Sequence, residues 1–328
     1  MNSRIAVVGP TATGKSDLAL ALGERLGGSD AVEIVNADAS QFYRGMDIGT
    51  AKLSVEERHG FAHHQIDVLD VVDEASVATY QQHAGADLAA IEQRGSRPLI
   101  VGGSGLYTRA VTDRLEFPGT DPQVRAALEQ RAAVEGNAVL HRELAQADPT
   151  AAARIEASNT RKVVRALEVI AVTGRPFSAS LPKYENLAPT VHLALRPLRE
   201  LLNLRINRRA AAMFANGLLE ETARLLECGL RGSPTASRAI GYRQAIAVLD
   251  GEMSETEAIE STALATRQLA SRQIKWFRRD PRIHWLDVNL DADGNLPDGE
   301  FERLTDVAEE FVLKEENPDS SSNYGAVA

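Results

Sequence analysis

The sequence predicts an α/β protein: a parallel sheet core built around a phosphate-binding loop, with helices on both faces and an inserted all-helical domain. Three observations carry that expectation. β-rich runs alternate with helical patterns through the first third of the chain, the order that builds a parallel sheet with crossover helices. A glycine turn bearing a lysine separates the first of these runs from the helix that follows. From about 113 to 186 alanine-rich helical patterns replace the strands, and a strand pattern then returns.

Arg4–Val8 is the first β-rich run, and the helical pattern after its turn continues through Leu26. Val32–Ala37 is a second strand, ending at Asp38. Ser76–Arg94 reads as a helix because Val77, Tyr80, Ala84, Leu88 and Ile91 recur at three- and four-residue spacing. Pro98–Val101 is a third strand, closed by Gly102-Gly103-Ser104-Gly105. Ligands of such sheets bind at the carboxyl ends of strands, and all three strands end in polar or glycine residues. Asp121–Leu144 and Pro149–Thr173 read as helices, with loops marked by Arg175-Pro176 and Leu181-Pro182. Val191–Leu195 is the returning strand, and a long helix after Pro197 is expected to run to Leu226 before Gly229. Ser254 and Glu257 form a capping box for a helix that runs towards Arg278. Pro281 breaks it, and Ile283–Val288 is the last strand. The expected division is a core of 1–112 and 187–286, a helical domain of 113–186, and an acidic segment of 287–328. The last residues of that segment, from 315, have tail composition and are expected to be disordered.

At 328 residues the chain is long enough for about two domains, and 44% hydrophobic with 25% charged residues is ordinary globular usage. The net charge of −10 argues against non-specific nucleic-acid binding, but the charge is uneven. From Asp287 onward twelve Asp and Glu face only Arg303 and Lys314, which leaves the rest of the chain neutral. Within that rest, Arg267, Arg272, Lys275, Arg278, Arg279 and Arg282 stand against Asp280 alone, a basic stripe in an acidic protein. Only six of the 36 basic residues are lysine, a bias that suits forked phosphate contacts. The single cysteine, Cys228, excludes a disulfide framework and a zinc site built on paired cysteines. It is expected to be an inert buried thiol in a reducing, cytoplasmic setting. Ile5–Val8 is too short for a signal peptide, and no apolar run approaches the roughly 18 residues of a membrane span.

Gly9-Pro10-Thr11-Ala12-Thr13-Gly14-Lys15-Ser16 matches GxxxxGK[ST] at every defined position, with a strand before it and a helix after it. Glycines let the backbone curl so that amide N–H groups point inward. The helix N-terminus adds its positive dipole end, Lys15 a point charge, and Ser16 a hydroxyl that can hold Mg²⁺. A polyphosphate site does not name its polyphosphate. Hydrolysis, phosphoryl transfer to a small acceptor, and a reaction in which diphosphate itself leaves all remain open. Adjacent His63 and His64 would point to opposite faces of a strand, which favours a structural role over a metal pair. Trp276 and Phe277 are expected in the core.

Several segments together resemble the bacterial tRNA dimethylallyltransferases, also called tRNA isopentenyltransferases. They are GPTATGKS at 9–16, NADASQFYRGMDIGTAK at 36–52, HHQIDVLD at 63–70, PLIVGGSGLY at 98–107, DPQVRAALE at 121–129, RALEV at 165–169, GYRQ at 241–244 and ATRQLASRQIKWFR at 265–278. The resemblance implies transfer of a dimethylallyl group from dimethylallyl diphosphate to N6 of an adenine. That adenine lies immediately 3′ of the anticodon (position 37) in tRNAs reading codons that begin with U. It implies Asp38 as the base, with Lys15 and Ser104 also catalytic, Gly9 to Ser16 holding the diphosphate, Mg²⁺ at Ser16, and Arg205 and Arg208 clamping. It implies RNA contacts at Asp38, Ala39, Ser40, Gln41, Ser104, Arg125, Arg161, Lys162, Arg165, Arg238, Gly241, Tyr242, Arg243, Arg272, Lys275 and Arg278. Ser16 and Ser104 stand where the family carries threonine and keep the hydroxyl. The expected partners are the tRNA anticodon stem-loop and the isoprenoid donor, with no membrane and a monomeric enzyme. The rival readings are an ATP-using small-molecule kinase, with Asp38 orienting an acceptor hydroxyl, and a non-catalytic tRNA-binding module.

Overall fold

In the computed structural model, residues 2–180 and 184–317 are described. The loop at Leu181-Pro182 and the expected disorder over 318–328 lie outside them. In chain order the first unit begins with β1 (Arg4–Val8), α1 (Lys15–Arg25), β2 (Val32–Asn36), β3 (His63–His64), α2 (Val77–Gln93), β4 (Arg97–Gly102) and α3 (Gly105–Thr112). Next in the chain come four helices, α4 (Pro122–Glu135), α5 (Asn137–Ala147), α6 (Pro149–Ala152) and α7 (Thr160–Thr173). The remaining elements are β5 (Thr190–Pro197), α8 (Arg199–Ala215), α9 (Leu218–Glu227), α10 (Tyr242–Leu249), α11 (Glu255–Phe277), β6 (Ile283–Val288) and α12 (Glu300–Glu316). The described chain divides into two units, 1–112 with 186–328, and 113–185.

The first unit holds one sheet in the order β3-β2-β4-β1-β5-β6, and every neighbouring pair is parallel. β1, β2 and β4 are buried at every residue, as strands covered by helices on both faces must be. Alternate residues such as Ile5, Val7, Ile34 and Leu99 share one apolar cluster with Leu18 and Leu22 of α1 and with Leu304, Ala308 and Val312 of α12. Helix α2 packs against β2 and β4, and α3 against β4 and β1. β1 and β4 being neighbours puts the loops after both strands side by side, with the end of β2 next to them.

Three long helical patterns are shorter helices in the structure. The expected 121–144 helix breaks at Gly136 and the 197–226 helix at Gly217, whose φ angles of +88° and +96° end a right-handed helix. The third pattern, 149–173, stops after Ala152 and restarts at Thr160, where the Asn159 side chain caps the new helix by accepting the Lys162 N–H. No helix among the described residues is long and apolar enough to cross a membrane.

The acidic segment is structured through Glu316. Leu304, Ala308 and Val312 recur every fourth residue and face the sheet, and Glu302, Asp306 and Glu309 on another face all pair with Arg25 of α1. Glu316, expected in the disordered tail, accepts from Arg97 at 3.0 Å and from the Ser3 N–H at 2.7 Å. Charge counting conceals this helix because carboxylates outnumber its apolar stripe. Cys228 also departs from expectation: it is exposed, one residue past the end of α9.

In the second unit, Leu128, Leu140, Leu144, Val163 and Leu167 form the apolar core. Beside it lies Glu168, wholly buried. Burial pushes its carboxyl up, but hydrogen bonds from Arg125, Arg165 and the Asp121 N–H outweigh that and hold it below the ordinary glutamate range. Glu168→Ala removes the acceptor of both guanidiniums and of the Asp121 N–H, and because the arginines stay partly in water it should cost about 2 kcal/mol of stability, read by urea unfolding. A depressed carboxyl stabilises above its unfolded value, so this contribution is complete above about pH 5 and lost as pH falls through the folded pKa.

Candidate active site

A cavity of about 950 Å³ opens at the carboxyl ends of β1, β2 and β4 and is lined by Thr11 to Ser16, Asp38 to Gln41 and Gly102 to Leu106. Helix α8 contributes Arg205, Arg208 and Arg209, and α11 contributes Arg272, Gln273 and Trp276. Gly9 and Pro10, expected to touch ligand, are buried beneath it and do not line it. They shape the loop instead. Gly9 has φ +123°, and Pro10 O accepts from the Thr13 hydroxyl at 2.9 Å and from Lys15 Nζ at 2.7 Å.

Lys15 opens α1, so its ammonium adds to the positive helix end. Burial lowers its pKa to about 8, Asp38 opposes that shift and Arg209 adds to it. Arg209 is likewise held below the ordinary arginine range, first by burial, with Arg205 adding and Asp38 opposing. Arg205 is lowered by burial and then by Arg208. Cations gathered around one cavity at an electrostatic cost describe a site for a multiply charged anion, whose binding would relieve that cost.

Asp38 follows β2 and is held from several directions. Its Oδ1 accepts the Ser40 N–H at 3.1 Å and the Ser40 hydroxyl at 2.7 Å. No described residue donates to its Oδ2. Asn36, buried at the end of β2, accepts the Asp38 N–H at 3.0 Å through Oδ1 and donates through Nδ2 to Gln65 O at 2.8 Å. The Tyr80 hydroxyl donates to Asn36 O at 3.0 Å, fixing the strand end from the other side. Ser104 Oγ accepts the Ala39 N–H at 3.3 Å, which leaves its own proton for the cavity. The carboxylate is therefore immobilised with one oxygen open.

Sequence reasoning missed two residues. Arg209 lies one turn on from Arg205 and couples to both Lys15 and Asp38, whereas Arg208 is exposed at the mouth. The spacing is the available signal, because residues four apart share a helix face. Gln273 is buried, accepts the Thr11 N–H at 2.9 Å and donates to Gly103 O at 2.9 Å, tying α11 to two loops of the cavity. A glutamine in step with buried Ala270 and Phe277 was its signal in the sequence.

Other expected residues are exposed or committed to other partners. Arg238, Arg243, Arg272, Lys275 and Arg278 are exposed on the first unit, while Arg161 and Lys162 are exposed on the second. Arg125 and Arg165 commit donors to Glu168, and Arg165 donates also to Pro118 O. Tyr242, expected to touch RNA, is wholly buried: its hydroxyl donates to Glu221 at 2.6 Å and its ring packs against Gly49. Gly241 beside it is buried too, its N–H donating to Gln244. Both support the 46–50 loop, whose Ile48 N–H donates to the same Glu221 at 3.0 Å. Trp276, expected in the core, is 39% exposed and lies over Gly105, where a Cβ would come within 2.2 Å of the indole. Phe277 is core. His63 Nδ1 donates locally to Phe61 O, and His64 pairs with Glu33. No cluster of three His, Cys, Asp or Glu among the described residues could hold a metal ion.

A model of the family described as IPP transferase matches residues 41–280. The chain belongs to the IPP transferase family. It is 54% identical over 282 residues to the tRNA dimethylallyltransferase of Streptomyces avermitilis, covering 86% of this chain and 89% of that one. It is also 54% identical to that of Kineococcus radiotolerans, over 89% and 92% of the two chains. The crystal structure of a tRNA isopentenylpyrophosphate transferase from Bacillus halodurans superposes with TM-score 0.67 at 34% identity, covering 98% of this chain and all of that one. A eukaryotic dimethylallyltransferase acting on tRNA shares the fold, with TM-score 0.79 at 23% identity over 99% of this chain and 81% of that one. The IPP transferase match begins after Asp38, so the phosphate loop and this carboxylate enter the site on their geometry.

Proposed function

We propose that the protein transfers a dimethylallyl group from dimethylallyl diphosphate to N6 of the adenine immediately 3′ of the anticodon, position 37, in tRNAs reading codons that begin with U. The products are N6-dimethylallyladenosine and diphosphate. The observation that carries this reading is Asp38, pinned through one oxygen and open through the other, in the same cavity as the phosphate loop. N6 is a weak nucleophile because its lone pair is delocalised into the ring. As the C–N bond forms and the allylic C–O bond breaks, N6 gives a proton to Asp38 Oδ2 and the electron pair of the C–O bond leaves with diphosphate. The loop amides, Lys15, Arg205 and Arg209 stabilise the charge that develops on the leaving group, and the Ser104 proton is available to its bridging oxygen.

The donor set fits Mg²⁺ held by Ser16 together with diphosphate oxygens and water. The ion prefers oxygen ligands and keeps waters when protein carboxylates are few, and Ser16 brings a hydroxyl to the cavity. Bound there, it would neutralise charge on the diphosphate. The adenine must leave its stack to reach Asp38, at a cost of roughly a few kcal/mol. Exposed Arg238, Arg243, Arg272, Lys275 and Arg278 supply phosphate contacts that hold the loop while it does so. Arg272→Ala and Lys275→Ala should each weaken tRNA affinity and reduce the salt slope of log Kd by about one, measured by filter binding across a salt series.

The enzyme so proposed is a monomer acting on tRNA in the cytoplasm. The test is incubation of labelled dimethylallyl diphosphate, unmodified tRNA and Mg²⁺ with the protein, followed by nucleoside analysis. Label in N6-dimethylallyladenosine is the expected outcome. Brisk ATP consumption with the isoprenoid donor untouched would replace this reading by the kinase.

A further inference from the structure

The segment after Asp287 lies beyond the residues matched by the family, yet part of it returns to the cavity. After β6, the Asp291 carboxylate folds the next residues into a turn by accepting the N–H of Asp293 at 3.0 Å and of Asn295 at 2.7 Å. Gly294 has φ +76°, and a Cβ there would come within 2.9 Å of Leu201 O on α8. Only a glycine lets this turn lie so close to the helix. Gly294 O accepts from Arg205 Nη1 at 3.3 Å, and Asn295 Oδ1 accepts from Arg208 Nη1 at 2.9 Å. Arg205 meanwhile donates through Nε to Ala12 O of the phosphate loop at 3.1 Å. Asn295 itself lines the cavity.

Both acceptors are neutral, and that is the informative point. Two guanidiniums at one opening repel each other. A carboxylate between them would relieve the repulsion but would also compete with any anionic ligand. A carbonyl and a carboxamide hold the same donors and leave both charges available. The carboxylates that act on these guanidiniums, Asp291 on Arg208 and Asp17 on Arg205, do so through space, and Asp291 gives its hydrogen bonds to the turn's own N–H groups and to Asn295 Nδ2 at 3.3 Å. We propose that the Asp291–Asn295 turn is a positioning element of the diphosphate site, in which Gly294 and Asn295 orient Arg205 and Arg208 towards the ligand without neutralising them. The proposal rests on the cavity being the diphosphate site.

The experiment is calorimetric titration of inorganic diphosphate with Mg²⁺ into the wild type, Asn295→Asp and Asn295→Ala, alongside the KM for tRNA and the melting temperature of each. Asn295→Asp pairs its new carboxylate with Arg208 and should weaken diphosphate binding about tenfold. Asn295→Ala releases the guanidinium and should weaken it about threefold, the smaller effect suiting an exposed bond. The KM for tRNA should be unchanged in both. A purely structural role predicts a change in melting temperature alone for Asn295→Asp, which exchanges its Nδ2 bond to Asp291 for an ion pair with Arg208: wild-type diphosphate affinity in that variant would overturn the proposal. Should Asn295→Asp fail to fold, wild-type affinity in Asn295→Ala would overturn it equally. Failure of the wild type to bind diphosphate at all would strike the underlying assignment of the cavity.

Discussion

Asp38→Asn should lower turnover about 10³-fold while leaving tRNA affinity within about twofold of wild type. The substitution keeps the shape of the side chain and an Oδ1 that can still accept from Ser40, so the short helical turn it caps, Ala39–Phe42, should stay in place. What it removes is the second oxygen. An amide NH₂ there donates where a base must accept, and N6 is left with nowhere to send its proton. Asp38→Ala should abolish transfer in the same way, with tRNA binding again largely intact. Single-turnover kinetics with saturating tRNA separate the chemical step from binding. Near-normal turnover in Asp38→Asn would remove this carboxylate from proton transfer.

Lys15→Ala should reduce kcat/KM for the isoprenoid donor by about 10²- to 10³-fold, with a much smaller effect on tRNA affinity. The lysine carries a pH signature as well. Burial brings its pKa to about 8, so it is charged below that pH and neutral above. In the wild type, kcat/KM for the donor should therefore fall as pH rises through about 8, and the descending limb should vanish in Lys15→Ala. Bound diphosphate favours the charged form, so kcat itself should stay flatter over the same range. Equal losses of donor use and tRNA affinity in Lys15→Ala would mean that the lysine holds RNA.

Much of the site could be read from local sequence. The phosphate loop is specified by eight consecutive residues whose function depends on backbone curl and a helix start, both local properties. Asp38 was legible as the residue that ends a strand, and its role as base was what the family resemblance implied. The fold class followed from the order of periodicities, and the boundaries that slipped did so at Gly136 and Gly217, where a helical pattern continues in composition across a left-handed residue that the backbone cannot carry helically. Trp276 was misplaced for a related reason, whereas the RNA contact expected of Tyr242 came from the family resemblance and gave way to burial. An aromatic residue's pattern does not say whether its partner is a buried glutamate such as Glu221 or a glycine at the edge of a cavity such as Gly105.

The amino-acid sequence alone determined the alternation of strands and helices, the anion-binding turn and the basic stripe on α11, because each depends on neighbours a few residues apart. Tertiary structure decided the rest. It chose Arg209 over Arg208 as the deeper cation, joined Gln273 to the loop across 262 residues of chain, and made a packed helix and a cavity-edge turn of an acidic segment that reads by charge as a tail. Those outcomes depend on which surfaces meet when the sheet closes. A burial contact between distant residues leaves no periodic trace in either of them.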